Sequence, residues 1–153
     1  MATTTKNGSG LDSSTSETRW MALDVGSKTI GLAITDPLKV TVRPLGTLQR
    51  GNRRQDCQRI LETAALYHVD KLIVGRPLHL DGSKSDILSA IESLVSEIAR
   101  RSEVPIEWMD ERLSSKEAEV LMAEAGVAIR DRRRLRNEYA AAVILRRYLE
   151  EKR

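Results

Sequence analysis

Phenylalanine is absent from this 153-residue chain, and two tryptophans and three tyrosines are its only large aromatics. The core must therefore be built from Leu, Ile, Val, Ala and Met, which still bury enough apolar surface for one domain of this length. Cysteine occurs once, at Cys57, which excludes an intramolecular disulfide and is compatible with a reducing compartment. Cytoplasmic residence is the expectation. Cys57 lies in a helix-like stretch with no histidine close in sequence, so it reads as packing rather than as a nucleophile. No apolar run is long enough to span a bilayer, so no transmembrane span fits and no membrane partner is expected. The two histidines, His68 and His79, have no partner at ligand spacing and read as surface or packing residues.

The net charge of +3 is unevenly spread. Residues 130–153 hold nine Lys/Arg against four Asp/Glu, and Arg130, Arg132, Arg133, Arg134 and Arg136 crowd the start of that segment. Such a cluster neutralises phosphates through counterion release, and the other reading is a solvated positive helix start. Half of residues 1–18 are Ser or Thr, and almost nothing there is apolar. That segment is expected to be a disordered tail, with organelle targeting as the alternative.

From Trp20 onward the pattern predicts strands at 20–25 and 30–35 and an extended piece around 40–48, together an antiparallel meander. A helix over 53–68 follows, then a buried strand at 70–75 parallel to the first, and an amphipathic helix over 83–101. Residues 106–110 form a fifth strand candidate. Ser114 or Ser115 caps a third helix that ends before Gly126, and a last helix runs over 132–150 with Tyr139, Ala142, Val143, Leu145, Arg146 and Leu149 on its inner side. The order is that of an α/β domain over residues 19–153. Its sheet is mixed and five-stranded, three antiparallel strands followed by two parallel ones, and helices flank it.

Two sets of carboxylates leave apolar strands. Asp24, within Leu23-Asp24-Val25-Gly26, interrupts a run that reads as buried, and a buried charge needs a partner. A divalent cation is one partner, and the amides of a turn are the other. Asp110-Glu111-Arg112 leaves the fifth strand, where ligands of open α/β sheets gather. If both strand ends reach one sheet edge, their carboxylates supply the oxygen ligands that Mg²⁺ or Mn²⁺ takes. Otherwise the trio is a local ion pair and helix cap. Val74-Gly75-Arg76-Pro77-Leu78, followed by Asp81-Gly82-Ser83, reads either as a phosphate-holding helix entry or as a strand exit with a cap.

Taken in order, Leu23-Asp24-Val25-Gly26 with Ile30-Gly31-Leu32-Ala33, Val74 to Leu78 with Asp81-Gly82-Ser83, Asp110 to Ser115 with Ala118-Glu119, and Ala140-Ala141 with Ile144-Leu145 resemble the YqgF/RuvX family. The resemblance spans nearly everything from Trp20 to Leu149. It implies an RNase H-like fold, the architecture of RuvC-type Holliday junction resolvases. It also implies a nuclease that uses Mg²⁺ or Mn²⁺ in pre-16S rRNA processing or junction resolution, acting on structured RNA or branched DNA. Carried over residue by residue, Asp24 matches the first-strand metal ligand and Glu111 a second acid, with Asp110 beside it. Arg112 stands as a nearby cation for phosphate, and Lys28 and the arginine cluster as further nucleic-acid contacts.

The family's third acid, an Asp ahead of the paired alanines, is Asn137 here, followed by Glu138. Asn supplies an oxygen without charge, so one of two cations would bind more weakly. Glu138 takes its place only if the helix start is rotated, because adjacent helical residues point about 100° apart. The metal set expected on this basis is Asp24, Glu111, Asn137 and Glu138, and the alternative function is nucleic-acid binding with weakened or lost cleavage. A homodimer would suit junction resolution, which needs two symmetric sites.

Overall fold

Residues Arg19–Val25 form β1, which turns tightly into β2 (Thr29–Thr35); the two pair antiparallel with Asp24 opposite Gly31 and Val25 opposite Ile30. The computed structural model describes residues 17–77, 86–110 and 114–152. Residues 1–16 of the Ser/Thr-rich tail, residues 78–85 with His79 and the expected Asp81–Ser83 helix entry, and residues 111–113 with Glu111 and Arg112 lie outside the described residues.

β3 (Val42–Gln49) adds to β2 antiparallel, with a register shift where Ala33 pairs Pro44. It is the edge strand of a five-stranded sheet in the order β3-β2-β1-β4-β5, where a proline is tolerated. β4 (Val69–Arg76) runs parallel to β1, and β5 (Ile106–Asp110) runs parallel to β4. The mixed sheet expected from the pattern is the one observed. Between β3 and β4 lies α1 (Arg53–Leu66), started by a capping box in which Asn52 and Gln55 exchange side-chain-to-backbone bonds of 2.8 and 3.0 Å. The helix ends before the predicted residue 68. His68 takes a left-handed conformation (φ 57°), and its carbonyl accepts the Arg19 amide, which leads the chain into β4.

Strand alternation divides the core into two layers. Met21, Leu23, Ile30, Leu32, Leu72 and Val74 face α1 and α2 (Asp86–Arg101), meeting Cys57, Ile60, Ile91, Leu94 and Ile98. Cys57 is fully buried, and desolvation pushes its thiol above the ordinary range. On the opposite face Ala22, Ala33, Ile73 and Met109 meet Ala141, Ala142, Ile144, Leu145 and Tyr148 of α4 (Ile129–Glu151). α3 (Ser114–Glu124) covers the far side of α4 through Ala118, Ala140 and Val143.

α4 begins three residues earlier than its pattern suggested. Ala140 to Leu145 are all buried because the sheet covers one side of the helix and α3 another, so a single inner stripe does not describe it. Arg146, expected on the inner side, is exposed instead, and Tyr139 is half-buried. Among the described residues no helix is long and apolar enough to cross a membrane.

Candidate active site

Asp24 sits one residue from the end of β1. With Leu23 and Val25 committed to the α1/α2 layer, alternation turns Asp24 to the α4 face, where it is 9 % exposed. Its partner in register is Gly31, and what Gly31 lacks decides the site. A Cβ there would come within 2.1 Å of the Asn137 carbonyl carbon and oxygen and 2.5 Å of the Glu138 nitrogen. The backbone of α4 therefore rests directly on β2, beside the strand pair that carries Asp24. Glycine inside a strand marks such close approaches.

The two residues at that contact diverge. The Asn137 side chain reaches back over the β1–β2 turn, where Nδ2 donates to Thr29 Oγ1 at 2.6 Å and a Cβ on Gly26 would lie 2.9 Å from it. Glu138 leans the other way, toward β3, and its Oε1 accepts a 2.8 Å hydrogen bond from Thr47 Oγ1. Thr47 is itself in register with Gly31. Asn137 is thus tied to the turn by its amide, and the neighbouring Glu138 carboxylate is tied to the edge strand.

Above this floor lies a cleft of about 660 Å³, walled by Lys28, Thr29, Thr47 and Gln49 on one side and by Arg133 to Glu138 of α4 on the other. Three of the five clustered arginines, Arg133, Arg134 and Arg136, line it with Lys28. Arg132 is turned toward α3: its Nε donates to the Val127 carbonyl at 3.1 Å, and its guanidinium lies 3.7 Å from Glu119. Arg136 shares Glu119 at 3.7 Å, and Arg134 pairs with Asp131 at 3.2 Å. Such partly exposed pairs are weak, so the cleft cations remain able to exchange a carboxylate for a phosphate. Arg130 is exposed and does not line the cleft.

Asp110 ends β5 opposite Arg76. It shares a sheet face with Trp108 and Ile106, which pack toward α1 and α2, so it stands on the face opposite Asp24 and two strands away. Glu111 and Arg112 lie outside the described residues. Among the described residues no three His, Cys, Asp or Glu side chains group to hold a metal ion. Asp24, the Asn137 amide oxygen and Glu138 present only oxygen donors. Oxygen donors are the kind Mg²⁺ takes, commonly one or two carboxylates together with waters and substrate phosphates, but Asn137 and Glu138 are turned apart, toward Thr29 and Thr47.

Sequence reasoning missed Thr29 and Thr47, whose hydroxyls orient Asn137 and Glu138. A threonine in a strand carries no signal of a partner 91 or 108 residues away. Glu119, noted in the sequence as part of the Ala118-Glu119 motif, gathers two of the arginines.

Residues 18–151 match the family model described as RuvX, Holliday junction resolvase. A relative from Lachnospira eligens is 34 % identical over 137 residues, covering 88 % of this chain and 98 % of its own length. One from Symbiobacterium thermophilum is 38 % identical over 128 residues, covering 84 % and 89 %. Both carry the name "Putative pre-16S rRNA nuclease". Two solved structures share the RNase H-like fold. Thermus thermophilus RuvC in complex with a Holliday junction substrate has a TM-score of 0.56 and 16 % identity, over 88 % of this chain and 95 % of that one. The Fowlpox virus resolvase in complex with Holliday junction DNA has a TM-score of 0.60 and 12 % identity, over 88 % and 98 %.

Proposed function

The chain belongs to the RuvX family and is a nuclease, and on that premise we propose that it hydrolyses phosphodiester bonds of structured nucleic acid with the aid of Mg²⁺ or Mn²⁺. Precursor 16S rRNA is the first candidate substrate and branched DNA the second. The observation that carries the reading is the basic cleft between the β1–β2 turn, β3 and the start of α4, with Lys28, Arg133, Arg134 and Arg136 in its walls, while the nearly buried Asp24 is in register with Gly31, the residue on which the α4 backbone rests.

The cleft cations bind the phosphate backbone and set the register of the strand without reading bases. Asp24 and Glu111, the acid that follows Asp110 in the chain, are the carboxylates assigned to the cation, and the Asn137 amide oxygen is a neutral third donor. When bound, a dication there withdraws charge from the phosphate and lowers the pKa of a water. Thr29 fixes the Asn137 amide through its NH₂ group, which leaves the oxygen of that amide as the acceptor on offer. Glu138, held by Thr47, adds negative charge to the β3 side of the cleft, and one of its oxygens takes a proton from the attacking water. Lys28 and Arg136 neutralise the charge that develops on the phosphate oxygens. On junction DNA two such sites are needed, which a homodimer supplies. The buried, unpaired Cys57 suits the reducing cytoplasm.

A second reading, recognition without turnover, is favoured by one feature: the amide of Asn137 stands where a third carboxylate would add charge. Cleavage of a precursor 16S rRNA fragment and of a four-way DNA junction, each with Mg²⁺, Mn²⁺ or chelator, separates the two readings. Asp24→Asn, which keeps the shape of the side chain, is expected to lower the metal-dependent rate by about a hundredfold or more. An unchanged rate refutes the assignment.

A further inference from the structure

We infer that Arg50 and Asp56 are positioning residues for the cleft, a buried clamp that grips the β1–β2 turn on which Asp24, Lys28 and Thr29 are carried. Asp56 lies in the first turn of α1 and is fully buried, yet none of the chemistry above uses it. Its Oδ1 accepts the Gly51 amide at 2.8 Å and Arg59 at 3.3 Å, and its Oδ2 accepts Arg50 Nε at 2.8 Å. The same Arg50 guanidinium donates from Nη1 to the Gly26 carbonyl at 2.7 Å, and the Arg50 amide donates to the Lys28 carbonyl at 2.9 Å. Both ends of the turn are therefore held from one residue. The Gly26 amide donates across the turn to the Thr29 carbonyl at 2.8 Å, and the Thr29 hydroxyl receives Asn137.

The chain of contacts runs from Asp56 through Arg50 to the turn, and from the turn to Asn137 at the cleft floor. A planar guanidinium suits this post because it donates in two directions at once, toward the carboxylate and toward the carbonyl. Burial alone would raise the Asp56 carboxyl, but the Gly51 amide and the Arg50 and Arg59 guanidinium groups hold it below its ordinary value, so it stays charged. Misplacing a reacting group by about 1 Å costs up to a hundredfold in rate, while three of the four cleft cations that hold phosphate, Arg133, Arg134 and Arg136, lie on α4 rather than on the turn.

The kinetic half of the test rests on the nuclease reading, so the experiment carries a second readout that does not. Arg50→Lys can satisfy Asp56 or the Gly26 carbonyl but not both, and Asp56→Asn keeps the shape while removing the charge that holds Arg50. For each full-length variant, kcat and KM are measured with Mg²⁺ on whichever substrate the wild type cuts. Native-state amide exchange is followed at Gly26 and at residue 50, with Ile73 in the core as reference. The expected result is kcat lowered roughly tenfold or more with KM within about twofold, and exchange at Gly26 and residue 50 at least about tenfold faster while Ile73 is unchanged. Arg50→Lys should lose less kcat than Arg50→Met. Unchanged exchange at Gly26 in both folded variants overturns the clamp, and so does acceleration spread equally to Ile73, which marks a merely global stabiliser. If the wild type cuts neither substrate, the nuclease proposal falls and the exchange comparison alone decides the clamp.

Discussion

Gly31→Ala is the smallest change that should disturb both the fold and the cleft. The added methyl would stand 2.1 Å from the backbone carbonyl of Asn137, whereas ordinary contact begins at 3.4 Å, so the start of α4 must withdraw by roughly 1.3 Å. The obstacle is main chain on both sides and cannot be relieved by a rotamer change. The cost is therefore expected at the upper end of the 1–3 kcal/mol range for overpacking, about 3 kcal/mol. For a chain of this size that corresponds to a fall in Tm of about 10 °C. A shift of that size at Asn137 should also slow cleavage by about a hundredfold, even at temperatures where the variant is fully folded. Gly46→Ala on β3 is the control, since a Cβ there meets nothing within 4 Å, and it should stay within about 0.5 kcal/mol of the wild type. Urea unfolding followed by circular dichroism, with cleavage assays on the same preparations, checks both halves. A Gly31→Ala protein as stable and as active as the control would refute the close-approach reasoning.

Acid should destabilise the protein through specific carboxylates. Asp56 is lowered because its hydrogen bonds outweigh burial, Glu97 because Arg100 and Arg101 outweigh burial, and Glu107 chiefly by its hydrogen bond with Tyr148. A carboxyl lowered by folding stabilises above its unfolded pKa of about 4 and loses that contribution as pH falls through the folded value. The urea midpoint should thus be flat from about pH 5 to 7 and drop below about pH 4, with a shallower acid limb in Asp56→Asn; a midpoint unchanged down to pH 3 contradicts this. Asn137→Asp should lower the Mg²⁺ concentration for half-maximal cleavage by about tenfold. The same change should cost about 1 kcal/mol of metal-free stability, because the donor to Thr29 is lost. A magnesium titration and metal-free melting test the pair, and an unchanged titration removes Asn137 from the cation's surroundings.

Alternating and helical periodicities were local enough to be read directly. The five strands and four helices of the described residues stand within a few residues of the pattern, since period two and period 3.6 are properties of neighbouring residues. The exceptions have tertiary causes. Arg146 was assigned inward by a one-stripe reading of α4, but a helix sandwiched between a sheet and α3 buries several sides at Ala140 to Leu145 and leaves Arg146 to solvent. His68 fell outside its helix because the chain had to reverse into β4 beside Arg19.

The sequence by itself determined the kind of chemistry available: a carboxylate at the end of an apolar strand, a basic segment ahead of paired alanines, and an Asn-Glu pair between them. Only the tertiary structure decided which of these groups meet. Strand parity placed Asp24 on the α4 face and Asp110 on the other, because one residue of register exchanges the two faces of a sheet. The missing Cβ of Gly31 let the backbone of α4 settle against β2, sending Asn137 toward Thr29 and Glu138 toward Thr47. Those contacts join residues about a hundred positions apart. They depend on how a helix docks on a sheet, a matter of long-range packing that no local pattern encodes.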